Sequence, residues 1–158
     1  MPNVPSPQIE EDRIRTVYTN RQDKGRCSYF NPAYLFMVQE RERQLLGLLK
    51  KKGIDPLEGI KILEIGCGIG SWLRAFINWG AQPQNITGID LLADRIAIAR
   101  RLCPEAVRFE CGSAARLEFA DNSFDIVLQS TVFSSVLDPS MRQQIASEML
   151  RVVKVNGV

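Results

Sequence analysis

Histidine is absent from this chain, and that absence excludes more than any single residue present implies. With it go the commonest general base, the usual zinc ligand and every Ser-His or Cys-His catalytic pair, so hydrolase and metalloenzyme readings lose their support and no metal site is expected. Neither sign of charge dominates. Lys and Arg number 20 against 18 Asp and Glu, and a net charge of +2 is too weak a field to gather nucleic acid or an anionic membrane surface. Any partner is therefore recognised locally, which points to a small molecule and to neither nucleic acid nor membrane. The run Lys50-Lys51-Lys52 stands at the end of a helical pattern, where cations favourably meet the helix dipole. Long apolar runs are missing as well: none approaches the roughly 20 residues that span a bilayer. The polar, proline-bearing start lacks a signal-peptide pattern. Cys27, Cys67, Cys103 and Cys111 form no Cys-x-x-Cys pair, which fits free thiols in a reducing cytoplasm.

What is present suits one compact domain: 158 residues, 45% of them apolar. Residues 1–32 read as an N-terminal arm and flap. Pro2, Pro5 and Pro7 mark a frayed start with order beginning near Ile9, and the stretch 13–32, rich in Arg and Tyr, has too little apolar spacing to form a core alone. It is expected to fold over something else. From 33 to 52 the residues Leu35, Val38, Leu45, Leu46, Leu48 and Leu49 recur at helical spacing, and Gly53 ends the helix. Beyond Gly59, short apolar runs alternate with amphipathic helices: strand 61–65, helix 71–79, strand 85–90, helix 93–102, strand 107–111, strand 124–129 and helix 139–153. Asp138-Pro139 marks the last start, since Asp suits the cap and Pro the first turn. Strands of this kind, alternating with helices, imply an α/β fold with a doubly wound, mostly parallel sheet covered on both faces. Trp72 and Trp79 share one helix face and are expected to pack.

The most informative stretch is Ile62-Leu63-Glu64-Ile65-Gly66-Cys67-Gly68-Ile69-Gly70, a strand that runs into a glycine loop and then a helix. Glycines there let the backbone turn sharply and let a ligand approach closely. The dinucleotide pattern G-x-G-x-x-G would place its third small residue at Ser71, whereas the third glycine here is Gly70. Glu64, just before the loop, would repel a pyrophosphate and suit a cationic ligand. Asp90 closes the next strand, in Thr87-Gly88-Ile89-Asp90, where a carboxylate can accept both hydroxyls of a ribose.

Taken in order, Glu64-Ile65-Gly66-Cys67-Gly68-Ile69-Gly70, Gly88-Ile89-Asp90, Gly112-Ser113-Ala114 and Phe119-Ala120-Asp121-Asn122-Ser123-Phe124-Asp125-Ile126-Val127 resemble the motifs of class I S-adenosylmethionine-dependent methyltransferases, in the type 11 or ubiquinone-biosynthesis-like branch. Leu150-Arg151-Val152-Val153-Lys154-Val155-Asn156-Gly157 is similar to the helix end and turn that precede that family's fifth strand. The resemblance covers residues 60–158 and implies a Rossmann-like sheet. It would give the methionine part of S-adenosylmethionine to Glu64, Gly66, Cys67, Gly68 and Gly70, the ribose to Asp90 with Leu91 beside it, and the adenine edge to Ser113 and Ala114. Gln129 would face the same crevice with Ser130 and Thr131. From the flap, Tyr18, Arg26 and Tyr29 would close over the cofactor, with Arg26 on its carboxylate. Ser113 departs from the family, which commonly has Asp there.

Methyl transfer from a sulfonium needs alignment more than a dedicated catalytic residue, and none is assigned. Asn-Pro-Pro-Tyr, which enzymes that methylate amino groups of bases or glutamine place at this strand end, and the Pro-Cys of cytosine C5 methylation are missing, so the acceptor is expected to be a small molecule. The family continues with further strands past the point where Val158 falls, so this chain reads as the cofactor-binding portion of a domain that goes on. Two other readings stand beside it: a non-catalytic binding or interaction module, and an NAD-dependent oxidoreductase, disfavoured by the glycine spacing. Strand 124–129 carries no Pro or Lys to blunt an edge, so a homodimer through an uncovered fourth-strand edge is also expected.

Overall fold

The computed structural model describes residues 7–21 and 27–158. Two helices come first, α1 (Pro7–Thr19) and α2 (Pro32–Lys51). There follow β1 (Ile62–Ile65), α3 (Ser71–Asn78), β2 (Ile86–Asp90), α4 (Ala93–Leu102), β3 (Arg108–Cys111), β4 (Ile126–Gln129), α5 (Val132–Ser135) and α6 (Pro139–Val152). The strands form one parallel four-stranded sheet in the order β3-β2-β1-β4. Chain order reverses between β1 and β4, and that reversal opens a crevice at the carboxyl ends of the strands.

Every residue of β1 and β2 is buried, as strands covered on both faces require. Ile62, Ile86 and Ile126 pack with Leu49 of α2, Leu73 and Phe76 of α3 and Ile96 and Ala99 of α4. The alternate residues Leu63, Ile65 and Ile89 face the other way, onto Phe124 and Val152. Each such aliphatic side chain, fully buried, contributes about 1.5–3 kcal/mol. Local capping agrees with this layout. The Asn31 side chain accepts from Ala33 N–H at 3.1 Å ahead of α2, and Asp138 accepts from Ser140 N–H at 2.8 Å ahead of α6. Trp72 and Trp79 do pack, edge to face with ring centroids 6.3 Å apart.

Three features depart from the sequence reading. Helix α1 begins at Pro7, inside the stretch expected to fray, because charged side chains tie it down more than an apolar stripe does. Buried Glu10 accepts from the Leu137 and Asp138 N–H groups and from Arg13, which also donates to the Ser135 carbonyl. Arg15 donates to the Leu91 carbonyl at 2.7 Å, and Ile14 fills a cluster with Val136, Met141 and Ile145. Strand β4 starts only at Ile126, Phe124 forming a single parallel bridge with Val153. The edge of β4, expected to be bare, is partly covered by the chain's own tail. Lys154 N–H donates to the Phe124 carbonyl, Val158 N–H to the Asp125 carbonyl and Val127 N–H to the Val158 carbonyl.

Candidate functional site

Beyond β1 the backbone enters the left-handed region at Gly66 (φ 68°), and a side chain there would lie 2.4 Å from a methyl carbon of Val132. No other residue type satisfies both conditions. Gly66 and Cys67 N–H donate to the Ile89 carbonyl at 2.8 and 3.1 Å, folding the loop back over the end of β2. Asp90 fastens it. One carboxylate oxygen accepts from Gly68 N–H at 2.8 Å and the other from Leu92 N–H at 2.9 Å. Each oxygen keeps a second lone pair for a ligand hydroxyl.

Above this loop lies a cavity of about 200 Å³. Of the residues singled out from the sequence, Gly66, Asp90, Leu91, Ser113, Ala114 and Tyr18 line it. Ser113 Oγ meets Ala115 N–H at 3.3 Å and still has capacity to accept. Glu64 does not reach the cavity. It is buried behind the loop, on the sheet face covered by α3 and α4, and its Oε2 has no hydrogen-bond partner. Burial, then the nearby Asp90 charge, push its carboxyl well above the ordinary carboxylate range, with Arg74 pulling weakly the other way. The protonated form is therefore the favoured one, and the cation-facing role expected of Glu64 from the sequence has no support from its position. Cys67 is buried, and burial raises its thiol far above the usual range, so it is inert packing. Gly70 starts α3 in the left-handed region, where a side chain would meet Cys103 Sγ at 2.8 Å. Gln129 Oε1 accepts from Val132 N–H at 3.0 Å, so it shapes the turn after β4 and leaves the cavity to Ser130 and Thr131. Tyr29 stands exposed against Tyr34, away from the cavity. Arg26 lies outside the described residues.

The remaining wall comes from residues that pattern reading did not assign. Helix α1 contributes Ile14, the chain just past it Arg21, α4 contributes Arg95, and the α5–α6 segment adds Ser135, Val136, Met141 and Ile145. Thr131, at the head of α5, has φ 69°, an outlying value for a β-branched residue. Its carbonyl accepts the hydroxyls of Ser134 at 2.8 Å and Ser135 at 2.9 Å. With its own proton so used, Ser135 accepts from the Tyr18 hydroxyl at 2.5 Å, fixing α1 over the opening. Nothing in the sequence around Arg95 or Met141 signals a site, because each sits in an ordinary helical pattern and is brought to the cavity by packing.

Comparison with known proteins places these features. A family model described as a methyltransferase domain matches residues 62–157. A ubiquinone biosynthesis O-methyltransferase of Sinorhizobium medicae is 31% identical over 125 residues, covering 77% of this chain and 49% of the relative. A 2-methyl-6-phytyl-1,4-hydroquinone methyltransferase of Synechocystis is 34% identical over 110 residues, 67% of this chain and 33% of the relative. The chain thus spans half or less of the length of these relatives. Among solved structures, a SAM-dependent methyltransferase of Methanosarcina mazei superposes with a TM-score of 0.54 at 32% identity, over 60% of this chain and 48% of the other. The YcgJ protein of Bacillus subtilis gives 0.59 at 29% identity, over 73% and 48%.

Proposed function

Because the chain belongs to the class I S-adenosylmethionine-dependent methyltransferases, we propose that its cleft binds S-adenosylmethionine and serves methyl transfer to a small-molecule acceptor. The observation that carries this is the glycine loop, clamped by Asp90 across the ends of β1 and β2 beneath the cavity. The residues present fit the cofactor. Asp90 keeps lone pairs for ribose hydroxyls, and Leu91, Ser113 and Ala114 line the cavity beside it, where adenine would lie. When bound, the cofactor supplies a methyl group activated by a sulfonium.

What this chain's own residues contribute is position and exclusion of water. The loop, Asp90 and Ser113 hold the cofactor along the strand ends, while α1, locked through Tyr18 and Ser135, closes the side opposite the sheet. Self-association through the β4 edge, expected from the sequence, has less to rest on, since the tail already uses the Asp125 and Val127 groups of that edge.

Thermal denaturation with S-adenosylhomocysteine, NAD and ATP tests the reading. S-adenosylhomocysteine should raise the melting temperature, with a gain of about 2.7 kcal/mol at a hundredfold excess over its dissociation constant. NAD and ATP should leave it unchanged. A shift with NAD alone would return the cleft to the dinucleotide reading.

A further inference from the structure

The residues assigned to the cofactor stand at the ends of β1, β2 and β3, and another part of the cavity wall is built by α1, α5 and α6. Ile14, Val136, Met141 and Ile145 make that part apolar. The positive charge of the cavity comes from Arg21, just past α1, and from Arg95 of α4, which also lies beside the glycine loop at Gly68; their guanidinium carbons are over the Tyr18 ring at 5.7 and 4.9 Å from its centroid. Arginines elsewhere against the body of the protein donate to oxygen: Arg13 to Glu10 and Ser135, Arg15 to Leu91, Arg100 to Phe109, Arg151 to Glu148. Among the described residues, half-buried Arg95 donates to no oxygen and pairs with no carboxylate, and neither does Arg21, which is exposed like the unpaired Arg41, Arg101 and Arg116 but lines the cavity as they do not.

A guanidinium carries five N–H donors in a fixed plane, and an aromatic face offsets its charge without satisfying those donors. Two guanidiniums sharing one ring also repel each other. A planar anion with two oxygens answers both conditions, because it neutralises the pair and accepts their donors. We propose that this corner of the cleft is a carboxylate-binding site for the methyl acceptor, so that the acceptor is an amphiphilic acid with its apolar body along Ile14, Val136, Met141 and Ile145. Only the ligand's role as acceptor rests on the methyltransferase reading; the anion site stands on the arginines. The cofactor carries a carboxylate of its own, and the test has to separate the two sources.

Calorimetric titration of the full chain does so in two arms. In the first, S-adenosylhomocysteine is titrated into the parent and into the double variant Arg21→Gln, Arg95→Gln. In the second, benzoate and its neutral isostere benzamide are titrated into each protein with S-adenosylhomocysteine present in excess. The parent should prefer benzoate by about tenfold or more, as a charge-assisted bidentate contact implies. The double variant should lose that preference while binding S-adenosylhomocysteine within about twofold of the parent, since its hydrogen bonds come from other groups. Equal binding of benzoate and benzamide by the parent would overturn the proposal. So would a double variant that loses S-adenosylhomocysteine as heavily as benzoate, which would hand the arginines to the cofactor. If S-adenosylhomocysteine fails to bind but the benzoate preference and its loss remain, the cofactor reading falls and the anion site stands. Arg21 is exposed, so Arg21→Gln alone keeps the test open should the double variant fold poorly. It should reduce the preference several-fold, and an unchanged preference would overturn the two-arginine site.

Discussion

At the scale of single residues, two carboxylates do opposite work. Glu10 is held down to about 2 from an ordinary 4.5, first by the Arg13 guanidinium and then, against the pull of burial, by the Leu137 and Asp138 N–H groups. A depressed folded value contributes stability that is present above the unfolded value and lost as pH falls. Its contribution should therefore disappear between about pH 4.5 and 2, and Glu10→Gln should flatten the stability profile in that window while lowering stability at neutral pH. Denaturant melts of both proteins from pH 7 downward would show it, and parallel profiles would mean Glu10 is not the anchor of α1. Asp90 instead serves the loop. Asp90→Ala strands the Gly68 and Leu92 N–H groups, so it should cost about 1–3 kcal/mol of stability as well as cofactor affinity, whereas Asp90→Asn, which keeps one acceptor, should cost less of both. Calorimetry paired with thermal melts separates the two effects, and an Ala variant as stable as the parent would contradict the clamp. The sequence made Asp90 visible as a ribose acid, but its hold on the glycine loop was not legible, because Gly68 lies 22 residues back along the chain.

At the scale of elements, the short helix α5 decides the shape of the cavity. It begins at Thr131 in a backbone conformation that glycine adopts freely and a β-branched residue does not, and it is held there by Ser134, Ser135 and Gln129. Thr131→Gly should relieve the strain and, after the entropy lost from a freer unfolded chain, raise stability by on the order of 0.5–1 kcal/mol. The denaturation midpoint measures this, and a lower midpoint would show that the Thr131 side chain contributes more by packing than its conformation costs. The long alternating segments from β1 to α6 were readable in the sequence because their apolar periods are strong. Helices α1 and α5 were not. One is amphipathic mainly through charge, and the other is a single turn with no period to detect.

At the scale of the whole molecule, the tail beside β4 bears on assembly. With the Asp125 and Val127 groups of that edge already bonded within the chain, light scattering should give one mass near 17.8 kDa across concentrations. A mass that doubles with concentration would reinstate association through some other surface. The sequence by itself determined the parallel α/β layering, the glycine loop with its following acid, and the absence of any histidine chemistry, since each depends on residue type and local spacing. Tertiary structure alone decided that Arg21, Arg95 and Met141 join Tyr18 in one cavity, that Glu64 is buried behind the loop instead of facing a ligand, and that Gln129 braces a turn. Those outcomes follow from which surfaces of α1, α4, α5 and α6 meet across the strand ends. Such meetings are set by long-range packing, and no local spacing encodes them.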